Sequence, residues 1–296
     1  MTQRHCPQIA LLVDTATDWG RRMIRGIGRY AQEHGGWDIW LEQRCQHAPG
    51  RLPPGWRGDG VIARVADRAM GRYLAGAPGV VVNVSAARIP GVEFPTVTAD
   101  LRTAARLAVG HLLDQGFRSF GYFAPRGLSY VETHYHSFVD NLAEAGLSCS
   151  LFPARRGKGP AATWQRRQTD LRRWLTGLPK PVAVVTWTSD RGREVLYACR
   201  ALGLSVPEQV AVMGGDEDSL LCETCNPPLS GVALTSERIG YEAAALLDRL
   251  WHGGRPPAAP LLIEPTRVVV RQSTDTLAIR DPDLAKAIAF IRVHAA

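Results

Sequence analysis

Two hydrophobic rhythms alternate along the chain. Short, mostly β-branched runs at 9–13, 61–65, 80–84, 119–123, 182–186 and 210–213 read as buried strands. Between them, apolar residues return at helical spacing: Met23, Ile27, Tyr30 and Ala31; Leu101, Ala104, Ala105, Ala108 and Leu112; Val195, Leu196, Cys199 and Leu202. Glycines punctuate the pattern. Gly35 and Gly36 stop the first helix ahead of a strand at 37–41, Gly116 stops the second, and Gly146 separates a helix around 135–145 from a strand at 149–152. Asp100, after a strand at 96–98, is a natural N-cap for the helix that follows.

This alternation predicts parallel strands with crossover helices, the doubly wound α/β arrangement. The pattern restarts after residue 123, so two units of similar size are expected, with a cleft between them. The last third has a different order. A turn at Asn226-Pro227-Pro228 precedes a short strand at 231–233 and a helix carrying Ile239, Ala243, Leu246, Leu247 and Leu250. Gly253-Gly254 and Pro256-Pro257 break that helix ahead of strands at 261–263 and 267–270. Asp281-Pro282 then fits an N-cap with proline at the first helical position, followed by Leu284, Ile288 and Ile291 at helical spacing. This amphipathic helix has nothing to pack on, which implies an incomplete domain.

Composition changes the picture little. The 296 residues are 45% hydrophobic and 21% charged, too apolar for disorder and long enough for two lobes. No run approaches the ~18 apolar residues of a membrane span. The run at 9–13 is short for a secretory signal and leads straight into Asp14, so the cytoplasm is expected. A net charge of +7 leaves nucleic acid open as a partner. The densest basic stretch, Arg155, Arg156, Lys158, Arg166, Arg167, Arg172 and Arg173, has no base-reading module beside it and reads as a solvated helix face. Of the six cysteines only Cys222 and Cys225 form a CxxC pair, and no second ligand pair accompanies them; a loop or helix end is expected there, with no metal and no cofactor.

Several segments resemble the LacI/GalR effector domain: TADLRTAARLAVGHLLDQGFRSFGYF (98–123), LGLSVPEQVAVMGGDE (202–217), NPPLSGVAL (226–234), IGYEAAALLDRLWHGG (239–254) and LLIEPTRVVVRQST (261–274). The resemblance covers most of residues 7–275. It implies a type I periplasmic-binding-protein-like fold: two doubly wound parallel-sheet lobes joined by crossover hinge strands. The expected division is 7–124 plus 231–256 for one lobe and 125–230 plus 257–275 for the other. The remainder, 276–296, would hold a linker and first helix, since DPDLAKAIAFIRVHAA (281–296) looks like the opening of an AraC-type DNA-binding domain. That order, with GWDIWLE (36–42) and GDGVIAR (58–64), resembles the xylose-operon regulators, in which the sugar module comes first. The resemblance implies a cytoplasmic homodimer that binds a monosaccharide, a pentose such as D-xylose, and controls operator DNA through a C-terminal domain absent from this chain.

Ligands of open parallel sheets sit outside the carboxyl ends of the strands, and that position selects the candidates. Asp216 follows a buried strand and two glycines; it is either a carboxylate for adjacent sugar hydroxyls, where the resemblance puts the family's ligand aspartate, or a turn or cap. Asp190 and Asp100 have the same ambiguity with helix capping. Asp14 and Trp19 follow the first strand; an indole can stack on a sugar's C–H face or serve as core. Trp187 is placed similarly, and Arg64 is either a cleft donor or a surface charge. His134 stands where the wider family commonly carries a ligand-contacting arginine, and it offers fewer donors. No nucleophile elbow, phosphate-cradling loop or HExxH pair appears, so no enzyme is expected. The alternative to a regulator is an extracytoplasmic sugar-binding protein of a transport system.

Overall fold

A computed structural model describes residues 6–41, 50–125, 127–153 and 160–276, together with 278, 287 and 290. The chain divides into two units, Met1–Asp100 with Leu234–Pro265, and Leu101–Ala233 with Thr266–Ala296, so it passes between them three times. The first unit begins with β1 (Gln8–Leu12), α1 (Asp18–Glu33), β2 (Asp38–Leu41), β3 (Gly60–Ala63), α2 (Arg68–Ala75), β4 (Val80–Asn83) and β5 (Val97–Ala99). The second contains α3 (Leu101–Asp114), β6 (Phe120–Phe123), α4 (Ser129–Glu144), β7 (Cys149–Leu151), α5 (Pro160–Gly177), β8 (Val182–Thr186), α6 (Ser189–Leu202), β9 (Val210–Gly214), α7 (Ser219–Glu223) and β10 (Ser230–Val232). The chain then returns to the first unit with α8 (Ser236–Trp251) and β11 (Leu261–Ile263), and completes the second with β12 (Val268–Val269).

The two larger sheets have one logic. In the first unit the order is β2-β1-β3-β4, all parallel. In the second it is β12-β10-β9-β8-β6-β7, parallel except for the antiparallel β12 edge. In each the strand order reverses beside the unit's first strand, between β1 and β3 and between β6 and β8. These are the topological switch points at which doubly wound sheets open a crevice.

The predicted helical faces are the buried ones. Met23, Ile27, Tyr30 and Ala31 of α1 are covered, as are Ile239, Ala243, Leu246 and Leu247 of α8, and the two helices pack on each other. Their backbones touch at glycines: a Cβ on Gly26 would lie 1.8 Å from the Glu237 carbonyl oxygen, and one on Gly240 would lie 2.0 Å from that of Met23. On α6, Val195, Leu196 and Cys199 are buried while Leu202, at the last turn, is exposed.

The structure corrects the expected division of the chain. Residues 101–124 belong to the second unit, because α3 packs on α4 and β6 hydrogen-bonds with β7 and β8. Residues 231–233 stay there too, since β10 pairs with β9, whereas 257–265 join the first unit through β11, which pairs with β5. The segment 281–296 lies outside the described residues apart from Ala287 and Phe290, which are helical.

The basic stretch also divides. Arg155, Arg156 and Lys158 lie outside the described residues, and Arg166, Arg172 and Arg173 are exposed. Arg167 is ion-paired and only partly exposed: its guanidinium forks onto the buried Glu194 carboxylate at 2.5 and 3.0 Å, and Arg191 holds the same carboxylate. Glu194→Ala would take the shared carboxylate from two arginines. Each is about a quarter exposed, at 23% and 26%, so water offsets part of the loss. The expected cost is about 1–2 kcal/mol, measurable by urea titration.

Candidate functional site

The carboxyl ends of β6, β8 and β9 gather most of the candidates in the second unit. Trp187 follows β8, with its amide donating to the Phe123 carbonyl at 3.0 Å. Its indole lies 5.4 Å from the Tyr130 ring and 5.7 Å from the His134 imidazole, both carried by α4. Tyr130 was not among the sequence candidates; its only signal is that it sits one turn before His134.

Asp216, just past β9, directs Oδ1 at the start of α6. That oxygen accepts from the Ser189 amide at 2.7 Å and the Ser189 hydroxyl at 2.6 Å. A carboxylate at a helix N-terminus is favoured by the unpaired amides there. The capping alternative for Asp216 is thus realised at Oδ1, and no described residue bonds Oδ2. Burial dominates the electrostatics and pushes the carboxyl up to about 6, against the lowering effect of the Ser189 bonds; Asp190 and Asp218 add to the rise.

For Asp190 the capping alternative is not realised. Thr188 is the N-cap residue of α6, and Asp190 lies within its first turn, bonded by the Thr188 hydroxyl and 3.8 Å from Arg191. Thr and Asp two positions apart are both competent caps, so their types alone did not choose between them.

His134 is 1% exposed. Its Nδ1 meets the Tyr122 hydroxyl at 2.7 Å, and its Nε2 is buried without a described partner. Burial alone lowers its pKa to about 4.

The first unit places the other candidates around its own switch point. Asp14 follows β1, and its Oδ1 accepts from the Ala16 amide at 2.9 Å, a local turn. Trp19, in the first turn of α1, is partly buried rather than core. Arg64 follows β3, its amide donating to the Leu12 carbonyl at 3.1 Å. Asp100 stands apart, at the end of β5, where its amide donates to Ile263 at 2.9 Å.

The Cys222 and Cys225 thiols sit in the hydrophobic core of the second unit at the end of α7, with Cys222 Sγ 3.3 Å from the Ser189 hydroxyl. Burial pushes the Cys222 thiol up to about 12, far from reactive. Among the described residues no group of three His, Cys, Asp or Glu side chains is placed to hold a metal. No described helix is long and apolar enough to cross a membrane.

His134 and Asp216 pull the pH dependence of stability in opposite directions. His134 falls from 6.5 to about 4, so between those values the unfolded chain binds more protons and stability drops as pH falls. Asp216 rises from 3.8 to about 6, so over much of the same window the folded chain binds more protons and stability increases as pH falls. The wild-type profile from pH 6 to 4 is expected to be flattened. Asp216→Asn removes one side of the balance and should expose a loss of stability on acidification, read by urea midpoints across that range.

Residues 109–274 match the family described as "Periplasmic binding protein-like domain", and residues 8–100 match the "XylR N-terminal domain". The chain is similar to the xylose operon regulatory protein of Escherichia coli strain K12, with 29% identity over 301 residues, 99% of this chain and 76% of that protein. Its similarity to the Haemophilus influenzae protein of the same name is also 29%, over 306 residues, 100% of this chain and 77% of that one. Among solved structures it resembles the xylose-binding transcription activator xylR, with a TM-score of 0.84 and 28% identity over 99% of this chain and 76% of that chain.

Proposed function

The chain belongs to the periplasmic binding protein-like family, and we propose that it is the ligand-sensing domain of a sugar-responsive transcription regulator. The ligand in this reading is D-xylose or a related pentose. The observation that carries it is the 29% identity to xylose operon regulatory proteins across 99% of the chain, both units included. What supports it in kind is a set of carboxylates (Asp216, Asp190) and a pair of aromatic rings (Trp187, Tyr130) near the carboxyl ends of neighbouring parallel strands, with Asp216 Oδ2 free of described partners. Asp14, Trp19 and Arg64 occupy the matching position in the first unit, and Asp100 is the remaining candidate contact. The domain acts as a binder rather than an enzyme, in the cytoplasm and as a homodimer. Sugar binding shifts a conformational equilibrium by its differential affinity for two states, and a C-terminal domain transmits that shift to operator DNA.

Calorimetric titration with xylose, arabinose, ribose and glucose tests this directly, with a thermal-shift series as the linked readout. Xylose or another pentose should bind and raise the melting temperature. Folded protein that binds none of the four overturns the sensor reading.

A further inference from the structure

One buried polar atom in the second unit has no described partner, and its neighbour determines what that atom carries. Tyr122 is fully buried on β6, and its hydroxyl meets His134 Nδ1 at 2.7 Å. No other described group accepts from that hydroxyl. A buried O–H without an acceptor is costly, so the proton lies on Tyr122 and points at Nδ1. In a neutral imidazole one nitrogen accepts and the other donates. Nε2 therefore carries the hydrogen, and it is this N–H that is buried and unpaired.

The surroundings constrain what could accept from it. Trp187 stands nearly perpendicular to the imidazole, at an interplanar angle of 76°, and Tyr130 is tilted against Trp187 at 49°. Both are partly exposed, so the ring cluster beside the imidazole borders solvent. Asp190 and Asp218 both act electrostatically on Asp216, which gives this end of the sheet three carboxylates. Arg191, 3.8 Å from Asp190, is already engaged by Glu194.

We propose that His134, held by Tyr122 as its Nε2–H tautomer, donates to a neutral oxygen of the ligand, so that the site admits uncharged polyhydroxylated molecules and rejects phosphorylated or carboxylated sugars. The proposal rests on the sugar-sensing reading and narrows its ligand class. A neutral imidazole donates one hydrogen bond without offsetting an anion's charge, whereas an arginine at the same place would clamp a phosphate or carboxylate in a fork. Tyr122 acts as a positioning residue, through the ring it orients.

The test combines tautomer and selectivity. Nitrogen-15 spectra of the folded wild-type chain, with His134 assigned by its loss in His134→Gln, should show Nδ1 unprotonated and Nε2 protonated, and Tyr122→Phe should erode that preference. Adding pentose should shift the Nε2 resonance. In calorimetry the pentose 5-phosphate and the corresponding uronic acid should bind at least tenfold more weakly than the pentose. His134→Gln should weaken the pentose about tenfold, and His134→Arg should narrow the gap between pentose and phosphate. An Nδ1–H tautomer overturns the proposal, as does a phosphate bound as tightly as the free sugar. Pentose binding that leaves Nε2 unmoved assigns that hydrogen bond to internal water and overturns the proposal while leaving the sensor intact. Failure of every sugar, charged or neutral, sinks the sensor reading and this one with it.

Discussion

Gly26→Ala is expected to destabilise the first unit strongly, and Gly28→Ala, two residues along the same helix, is expected to stabilise it. At Gly26 the added Cβ would lie 1.8 Å from the Glu237 carbonyl oxygen and 3.0 Å from the Tyr241 amide nitrogen. Those atoms are backbone of α8, so no rotamer change relieves the clash and the helices must separate. Separation opens gaps along the face that buries Met23, Ile27, Ile239 and Ala243. Overpacking of a close core costs about 1–3 kcal/mol when side chains can yield; a backbone contact puts the expected loss at the upper end, about 3 kcal/mol. For a chain of this size that is a fall in melting temperature on the order of 10 °C. A Cβ on Gly28 meets nothing within 4 Å, and alanine there gains about 0.5–1 kcal/mol from helix propensity and a less flexible unfolded chain. Circular dichroism melts of the two variants should therefore move in opposite directions. Equal behaviour would contradict the backbone contact between α1 and α8.

Asp216→Ala is expected to abolish strong sugar binding and to weaken the second unit as well, and Asp216→Asn to separate the two effects. Alanine leaves the Ser189 amide and hydroxyl without their 2.7 and 2.6 Å acceptor. The cost is that of a lost helix-end tie, about 1–2 kcal/mol. Asparagine keeps an acceptor toward Ser189 and so should retain most of that stability near neutral pH. In both variants the carboxylate oxygen Oδ2 is gone. A hydrogen bond to a charged group is worth about 1.5–3 kcal/mol, so sugar affinity should fall by roughly ten- to a hundredfold. Calorimetry on both proteins, beside urea titrations, checks the pair. Unchanged sugar affinity in Asp216→Asn would leave Asp216 as a helix cap alone. For the wild type, affinity should also weaken as pH falls through about 6, where the carboxylate gains its proton.

Much of the fold was legible because burial and rhythm coincide. The runs that became β1, β3, β8 and β9 are buried along nearly their whole length, and the helical stripe on α1 is the face that α8 covers. The division into units was less legible. Whether α3 and β6 belong with the strands before or after them depends on pairing partners far along the chain, and a single sequence names elements without naming their neighbours. The same limit applies at the site. Strand ends pointed to Asp216, Trp187 and Arg64, because position along a parallel strand is enough to choose them. The Tyr122–His134 bond joins a strand to a helix across a register that spacing alone does not reveal, and with it the donor identity of Nε2 was out of reach. Arg167 was misread as surface for a related reason: its partner, Glu194, lies on the next helix.

The threefold passage of the chain between its units has a consequence in time. The seat on α1 that Gly26 offers, and the edge of β5, are covered by α8 and β11, which are synthesised only after the 133 residues of 101–233 (233 − 100). At translation rates of about 5–20 residues per second, that apolar surface waits roughly seven to thirty seconds on the ribosome. The second unit waits in turn for β12, which follows Pro265. The first unit therefore stays open until most of the second has been made, and the second stays open until the first is complete, so for part of its synthesis the nascent chain carries two unsealed cores.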